Sequence, residues 1–266
     1  ETTKNITDRL GEEGYSFANV NSIPDINKEE KTVAVTFFVD PGKRVYVRRI
    51  NFSGNTKTKD EVLRREMRQQ EGAWMSTAQV ERGKLRLQRT GFFTDVNVET
   101  PAVPGTSDQV DVNYTVEEAP GGQFGIGIGF SQSSGIILTT NLTQDNFLGS
   151  GNKVSFAFNN SDINSRYSLG YLNPYYTDDG ISRGFNAFYR ETDAFDANLS
   201  EFTSKDIGGN VSFGIPVSET NTINTSLEYK KTDINLGATA STQLRDFVTL
   251  NGSEYDIISW NLGFSF

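Results

Sequence analysis

Few residues in this chain are equipped for covalent or acid–base chemistry. Its 266 residues include no histidine and no cysteine, which removes the commonest general base and the thiolate metal ligand. The one Gly-x-Ser-x-Gly run, Gly180-Ile181-Ser182-Arg183-Gly184, has no histidine anywhere in the chain to serve it, so a nucleophile elbow is unsupported. Thr177-Asp178-Asp179-Gly180 sets two carboxylates side by side. Without further oxygen ligands that segment reads as a hairpin turn rather than a calcium loop. Asn-x-Ser/Thr triplets are what an asparagine-rich β-protein contains by chance. No catalytic residue, metal or cofactor is expected. What remains is the chemistry of backbone groups and of surface charge. Gln123–Phe130 reads Gln-Phe-Gly-Ile-Gly-Ile-Gly-Phe. As a strand it sets Phe124, Ile126, Ile128 and Phe130 on one face and Gly125, Gly127 and Gly129 on the other. Alternating glycines weaken a strand, since they lose entropy and pack nothing; alternatively they make room for bulk. A second cluster is Arg64, Arg65, Arg68 and Glu71, which reads as a solvated charged face.

The elements that would carry these groups show in the periodicity. An apolar face backed by almost nothing is unusual for a soluble sheet and fits a strand between lipid and a lumen. The alternation recurs at Val154/Phe156/Phe158, Tyr167/Leu169/Tyr171, Val211/Phe213/Ile215, Ile223/Leu227/Tyr229 and Ile258–Phe266. Eight candidate strands follow Gly121, each near the ~9–11 residues a tilted bilayer-spanning strand requires. Ile137 breaks the period of Ile136–Leu142, and Ile181–Arg190 is ambiguous between its faces. Links at Gln144–Gly151, Asn173–Gly180 and Val217–Asn221 read as tight. Asn159–Ser165 reads as looser, and Thr192–Asp206 and Asn235–Asp256 as long. Short turns at one rim and longer loops at the other suit an outer-membrane barrel. Phe147, Tyr171, Tyr175, Tyr176 and Trp260 are placed near strand ends, as an aromatic girdle. A soluble sandwich or lipocalin-like barrel would also alternate.

Composition agrees with two kinds of structure. Most of the charge falls before residue 120, and Ala119-Pro120-Gly121-Gly122 is a natural linker. No apolar run approaches the ~18 residues of a transmembrane helix, and the mean hydropathy is −0.47. The net charge of −9, with no sustained basic stripe, argues against nucleic acid as a partner.

Residues 44–118 have a βααββ order: a strand at Val45–Phe52, helices at Asp60–Gln70 and from Ser76 to Thr90, and strands at Phe93–Thr100 and Val110–Glu117. Thr58 and Glu61 suit a capping box on the first helix, with Val62, Leu63 and Met67 as its apolar face and the arginines pointing away. Gly91 stands at the C-cap of the second. Residues 1–42 repeat the latter half of this unit. Helix Thr2–Glu13 ends at Gly14, Gly14–Val20 aligns with Gly91–Asn97, and Thr32–Val39 aligns with Val110–Glu117. The first module lacks its opening strand and helix, which reads as a piece of something longer.

Three segments of the first part, Val45–Ile50, Leu63–Trp74 and Gly91-Phe92-Phe93, and two of the second, Gln144-Asp145-Asn146-Phe147-Leu148-Gly149 and Asn173-Pro174-Tyr175-Tyr176-Thr177-Asp178-Asp179-Gly180, carry a resemblance. Together they make the chain resemble the BamA family of outer-membrane assembly factors, built of POTRA modules and a transmembrane β-barrel. The resemblance implies α+β POTRA modules (βααββ) followed by an antiparallel transmembrane β-barrel, of which the N-terminal part, about eight strands, is present. The domains would be residues 1–42 (the C-terminal part of a POTRA module), 43–119 (a complete module) and 120–266 (the N-terminal half of the barrel). It implies the bacterial outer membrane with the POTRA modules in the periplasm, and no enzyme activity. The implied function is insertion of other β-barrels by strand templating at a lateral seam, with local membrane perturbation. The implied partners are nascent outer-membrane β-barrel proteins, periplasmic lipoprotein subunits and outer-membrane lipid. The seam would be Phe124, Gly125, Ile126, Gly127, Ile128, Gly129 and Phe130, parting from its neighbour to offer N–H and C=O groups. Arg64, Arg68 and Glu71 would help dock a lipoprotein subunit. Arg183-Gly184-Phe185 resembles a signature the family carries in a lumenal loop, but here it follows the turn too early in the barrel. The sequence also allows closure as an eight-stranded barrel, and the family's neighbour in function, a two-partner secretion transporter exporting a polypeptide, shares the same architecture.

Overall fold

The computed structural model describes residues 1–195, 201–218 and 220–266. Residues 196–200, inside the expected long loop Thr192–Asp206, and Glu219, inside the expected Val217–Asn221 turn, lie outside the described residues. Two units divide the chain, Glu1–Pro120 and Gly121–Phe266.

In the first unit, helix α1 (Thr2–Glu12) is followed by strands β1 (Asn19–Asn27) and β2 (Thr32–Asp40), paired antiparallel. Then come β3 (Tyr46–Ser53), α2 (Asp60–Arg64), α3 (Thr77–Arg89), β4 (Phe93–Glu99) and β5 (Gln109–Glu118). The sheet order is β3-β5-β4. β3 runs parallel to β5, which the helical crossover between them permits, and β4 is antiparallel. Val47, Ile50, Leu63, Leu87, Val112 and Tyr114 form its buried centre. Tyr114 donates to the Val80 carbonyl at 2.9 Å, so its buried hydroxyl is satisfied.

Two expectations about the first of these helices need correction. It spans five residues, not eleven, and its N-cap is Lys59, with no side-chain capping bond. Thr58 instead donates its backbone N–H to Glu118. The helix ends early because the chain turns to run beside β3. Gly72 N–H donates to the Val47 carbonyl at 2.7 Å, Val47 N–H to Ala73 at 3.0 Å and Met75 N–H to Val45 at 2.8 Å. Pairing the β3 backbone outweighs two further helical turns. α3 starts as expected, with the Ser76 side chain accepting from Gln79 N–H.

The second unit is one antiparallel sheet of eight strands in chain order. They are β6 (Gly122–Ser131), β7 (Gly135–Phe147), β8 (Asn152–Asn160), β9 (Asn164–Asn173), β10 (Ser182–Asp193), β11 (Phe202–Pro216), β12 (Thr222–Leu236) and β13 (Glu254–Ser265). β6 and β13 are its two edges and do not pair, so the sheet does not close on itself as an eight-stranded barrel. Among the described residues no helix is long and apolar enough to cross a membrane.

Register assigns the faces. Phe124 opposes Leu142, Leu142 opposes Phe156, Phe156 opposes Leu169, and Leu169 opposes Ala187. The series continues through Gly209 and Tyr229 to Ile258. This outer face is an exposed apolar band; Ile128 is 77% exposed and Ile258 73%. At one end it turns ionic, with Lys205–Glu191 at 3.4 Å and Lys231–Glu254 at 2.6 Å. The other face carries Asn141, Asn159, Arg166, Ser168, Arg190, Asp206 and Lys230, a polar wall suited to a lumen.

The two irregular strands resolve through glycine. Ile137 opposes Gly129 on the inner face, and Phe188 reaches over Gly208. Apolar bulk turned inward lies on a neighbour's missing side chain. The loop alternation holds only in part. The β8–β9 link, expected to be looser, is three residues, and the β9–β10 link, expected to be tight, is eight. The Asn235–Asp256 loop contains an unexpected helix, α4 (Thr242–Asn251), capped by Ser241. Trp260 lies within β13 rather than at its end, and its indole N–H donates to Thr225 Oγ1 at 2.8 Å.

Candidate functional site

Strand β6 holds the seven residues expected at a pairing edge, Phe124, Gly125, Ile126, Gly127, Ile128, Gly129 and Phe130. β7 pairs with it along one side from Gly122↔Gln144 to Ser131↔Gly135. Alternate residues of its ten aim both N–H and C=O at the other side. In hydrocarbon each unpaired group costs several kcal/mol, so an unoccupied edge costs tens.

Room-making explains one of the three glycines. A Cβ on Gly127 would strike Thr139 Oγ1, whose hydroxyl reaches the Gly127 carbonyl at 3.4 Å. At Gly129 a Cβ would stand 3.8 Å from Ile137, ordinary contact, and at Gly125 it would meet nothing. Packing within the sheet therefore leaves Gly125 and Gly129 unexplained, while strand weakening accounts for all three.

The second candidate surface is more structured than its sequence suggested. Arg64 and Glu71 meet, at 3.1 Å, against the edge of β3. Glu71 Oε1 accepts the Ile50 N–H at 2.9 Å, and Arg64 donates to the Ile50 carbonyl at 3.2 Å. The pair satisfies both backbone groups of Ile50, as a neighbouring strand would. The Ile50 N–H bond is the main reason the Glu71 carboxyl lies below its ordinary value; partial burial opposes it, and Arg64 and then Arg49 add to the lowering. Arg64 also lies 5.4 Å from the centre of the Phe52 ring. Arg68 stands apart from this pair, with one nitrogen 3.5 Å from the Met67 carbonyl. Arg65, expected to point outward, is largely buried, with a side-chain exposure of 20%. Sequence reasoning missed a buried pair behind it, Arg86–Glu66 at 2.8 Å. It also missed Arg44, which lies 4.0 Å from the Trp74 ring centre and 5.2 Å from that of Tyr15. Neither has a short-range spacing signal, since each joins residues far apart in sequence.

Among the described residues no group of three or more acidic, histidine or cysteine side chains is arranged to hold a metal. Thr177–Gly180 forms a turn, with the Gly180 N–H on the Thr177 carbonyl at 3.0 Å and the Ile181 N–H on Thr177 Oγ1 at 3.2 Å.

Comparison with known proteins fits both units. The POTRA family, described as a surface antigen variable number repeat, matches residues 1–42 and 45–119, and the Omp85 superfamily domain matches residues 146–266. The outer membrane protein assembly factor BamA of Neisseria meningitidis is 31% identical over 249 residues, 93% of this chain and 31% of that protein. The chain belongs to the Omp85/BamA family. The BamA of Buchnera aphidicola is 32% identical over 86% of this chain and 37% of its own length. The crystal structure of Haemophilus ducreyi BamA lacking POTRA domains 1–3 superposes with a TM-score of 0.77 at 35% identity, covering 98% of this chain and 51% of that one. CdiB from Acinetobacter baumannii, at 13% identity and a TM-score of 0.58, shares the fold. The chain thus spans about a third of the length of the curated relatives it matches. In this Omp85/BamA-family chain the POTRA part is the unit with the capped β3 edge, and the barrel part is the unit that begins with β6.

Proposed function

We propose that this chain assembles and inserts β-barrel proteins into the bacterial outer membrane, with its POTRA modules in the periplasm. Residues 1–42 are then the C-terminal part of one module, 43–119 a complete module, and 120–266 the N-terminal half of the barrel. The observation that carries the reading is β6: a glycine-bearing strand paired on one side, beginning a sheet whose outer face is apolar. Its second edge, at Phe124–Phe130, templates the terminal strand of a nascent barrel by β-augmentation. Weak pairing to whatever strand closes there lets the seam part, and the sheet perturbs the bilayer locally. No catalytic group, metal or nucleotide is needed, because the driving force is satisfaction of backbone groups in lipid.

Arg64, Arg68 and Glu71 form the docking surface for a periplasmic lipoprotein subunit. Replacing Glu71 with Lys weakens that docking, read as lost co-purification from membranes; unchanged co-purification refutes it.

Disulfide trapping tests the seam. Cysteine at Gly125 or Gly127 should capture a cysteine in the terminal strand of a nascent outer-membrane barrel, and cysteine at Gly263 of β13 should not. Failure to trap at Gly125, where an added Cβ meets nothing, overturns the proposal. Cellular depletion separates this function from two-partner secretion: many barrels are lost in the first case, one exported protein in the second.

A further inference from the structure

We propose that the outer face of β9–β12 holds one membrane phospholipid, its phosphate on Arg183 and an acyl chain along Ala187 and Gly209. The inference rests on the sheet being lipid-embedded and not on the assembly activity.

Arg183 is the second residue of β10, at the rim from which β6 also starts. Register puts it on the apolar outer face, opposite Asn173 on one side and Phe213 on the other. Its guanidinium is 3.7 Å from the centre of the Tyr176 ring and 5.1 Å from that of Phe185. Its Nε is buried without a hydrogen-bond partner among the described residues. Aromatic faces hold the cation in place but leave its N–H donors unused. A cation of this kind at a lipid–water boundary is satisfied by an oxyanion, and the guanidinium fork matches phosphate. This is where the Arg183-Gly184-Phe185 run has its use: on the lipid side of the wall.

Directly along the strand lies an apolar groove. Ala187 and Gly209, paired with each other, make its floor. Tyr171 and Phe185, stacked at 6.4 Å, wall it on one side, and Leu227 and Tyr229 on the other. Two small residues opposed at the centre of an otherwise bulky band leave a depression one rung wide, between Phe185↔Val211 and Tyr189↔Ile207. Ala187 is four residues from Arg183, about 13 Å along the strand, with the Phe185↔Val211 rung between them, so a chain whose headgroup sits on Arg183 lies over that rung and drops into the depression beyond it. Phe185 belongs to both parts. A free phosphate would use Arg183 alone; the groove selects a lipid.

The test uses the full chain in detergent, delipidated and titrated with phosphatidylglycerol or with diacylglycerol of the same acyl chains, counting bound lipid by native mass spectrometry. R183Q should lower phosphatidylglycerol affinity about tenfold, the loss of charge-assisted bonds, and leave diacylglycerol unchanged. A187F, which fills the depression, should abolish retention of both. A loss under about threefold in R183Q, a parallel loss of both lipids in R183Q, or retention of either lipid by A187F overturns the proposal. Heat-modifiable gel mobility checks that each variant is folded.

Discussion

Removing the Glu71 carboxylate should uncap β3, and the cost follows from its bonds. Glu71 accepts one backbone N–H, from Ile50, and one guanidinium, from Arg64. A hydrogen bond to a charged group contributes about 1.5–3 kcal/mol. The two side chains are close to half exposed, so the lower end applies, and the ion pair itself adds no more than about 0.5 kcal/mol. E71A should therefore destabilise the POTRA unit by about 2 kcal/mol. E71Q keeps an oxygen for the Ile50 N–H and should cost about 0.5–1 kcal/mol. Urea unfolding followed by Trp74 fluorescence, in a W260F background, measures both. Because folding lowers the Glu71 pKa, its contribution is complete above the unfolded value, near pH 4.5. It is lost as pH falls through the lower folded value, so the gap between wild type and E71Q should narrow under acid. The same two variants separate two roles of Glu71 in the proposed docking. If its charge contacts the partner, E71Q and E71A lose docking alike; if it acts by holding the β3 edge, E71Q retains it. Equal stability of wild type and E71A would refute the capping argument.

Other outcomes follow from single contacts. Gly54 has φ +89°, and a Cβ there would collide with the Val116 carbonyl, so G54A should cost more than about 2 kcal/mol in the same urea assay. Y114F removes the buried hydroxyl's bond to the Val80 carbonyl but leaves that carbonyl in the helical ladder of α3, so it should cost about 0.5–1.5 kcal/mol; no change would mean the hydroxyl contributes nothing to the core. In β6 a Cβ at Gly125 meets no atom, so G125V should fold normally by heat-modifiable mobility, whereas a Cβ at Gly127 strikes Thr139, so G127V should fold poorly. If G125V nevertheless impairs barrel assembly in cells, strand weakness rather than space is the property required; full activity would count against the seam.

The sequence made the eight membrane strands legible because period-two alternation is local, and each strand repeats it. Ile137 and Phe188 are unreadable for the opposite reason: their inward placement follows from register with neighbouring strands, and Phe188 needs the missing side chain of Gly208 across the sheet. The first helix of the complete module was overextended because Val62, Leu63 and Met67 keep helical spacing while the chain is already leaving for β3. What stopped it, the pairing of Gly72–Met75 with Val45 and Val47, is a contact across about 25 residues. The candidate site divides likewise. The glycine alternation of β6 stands in the sequence, but only cross-strand geometry shows that Gly127 alone needs its missing side chain. Arg64 and Glu71 were visible as charges; that they close on Ile50 was not, because the pairing requires the early end of α2.

The two units treat a sheet edge in opposite ways. In the POTRA unit β3 is an edge in water, where unpaired N–H and C=O groups invite association. Its first half is covered by Gly72–Met75, and the Arg64–Glu71 pair covers Ile50, so backbone and charge together close it. In the barrel unit β6 has no such device. From Phe124 to Phe130 its residues are Phe, Ile and Gly, and among the described residues no charged side chain reaches its backbone. An uncapped edge would be a hazard in water, and in lipid it is costlier still, since each open group must find a backbone partner. Under the proposed function that cost is the source of specificity: the groups that satisfy it most completely belong to another membrane strand, which brings its own unpaired edge. A charged cap on β6 would satisfy a few groups and bury an ion in hydrocarbon. Placing a Lys or Glu at Ile126, on the outer face, should therefore abolish assembly in cells while leaving the POTRA unit as stable in urea as wild type. Survival of assembly in both variants would show that the edge is not where client strands pair.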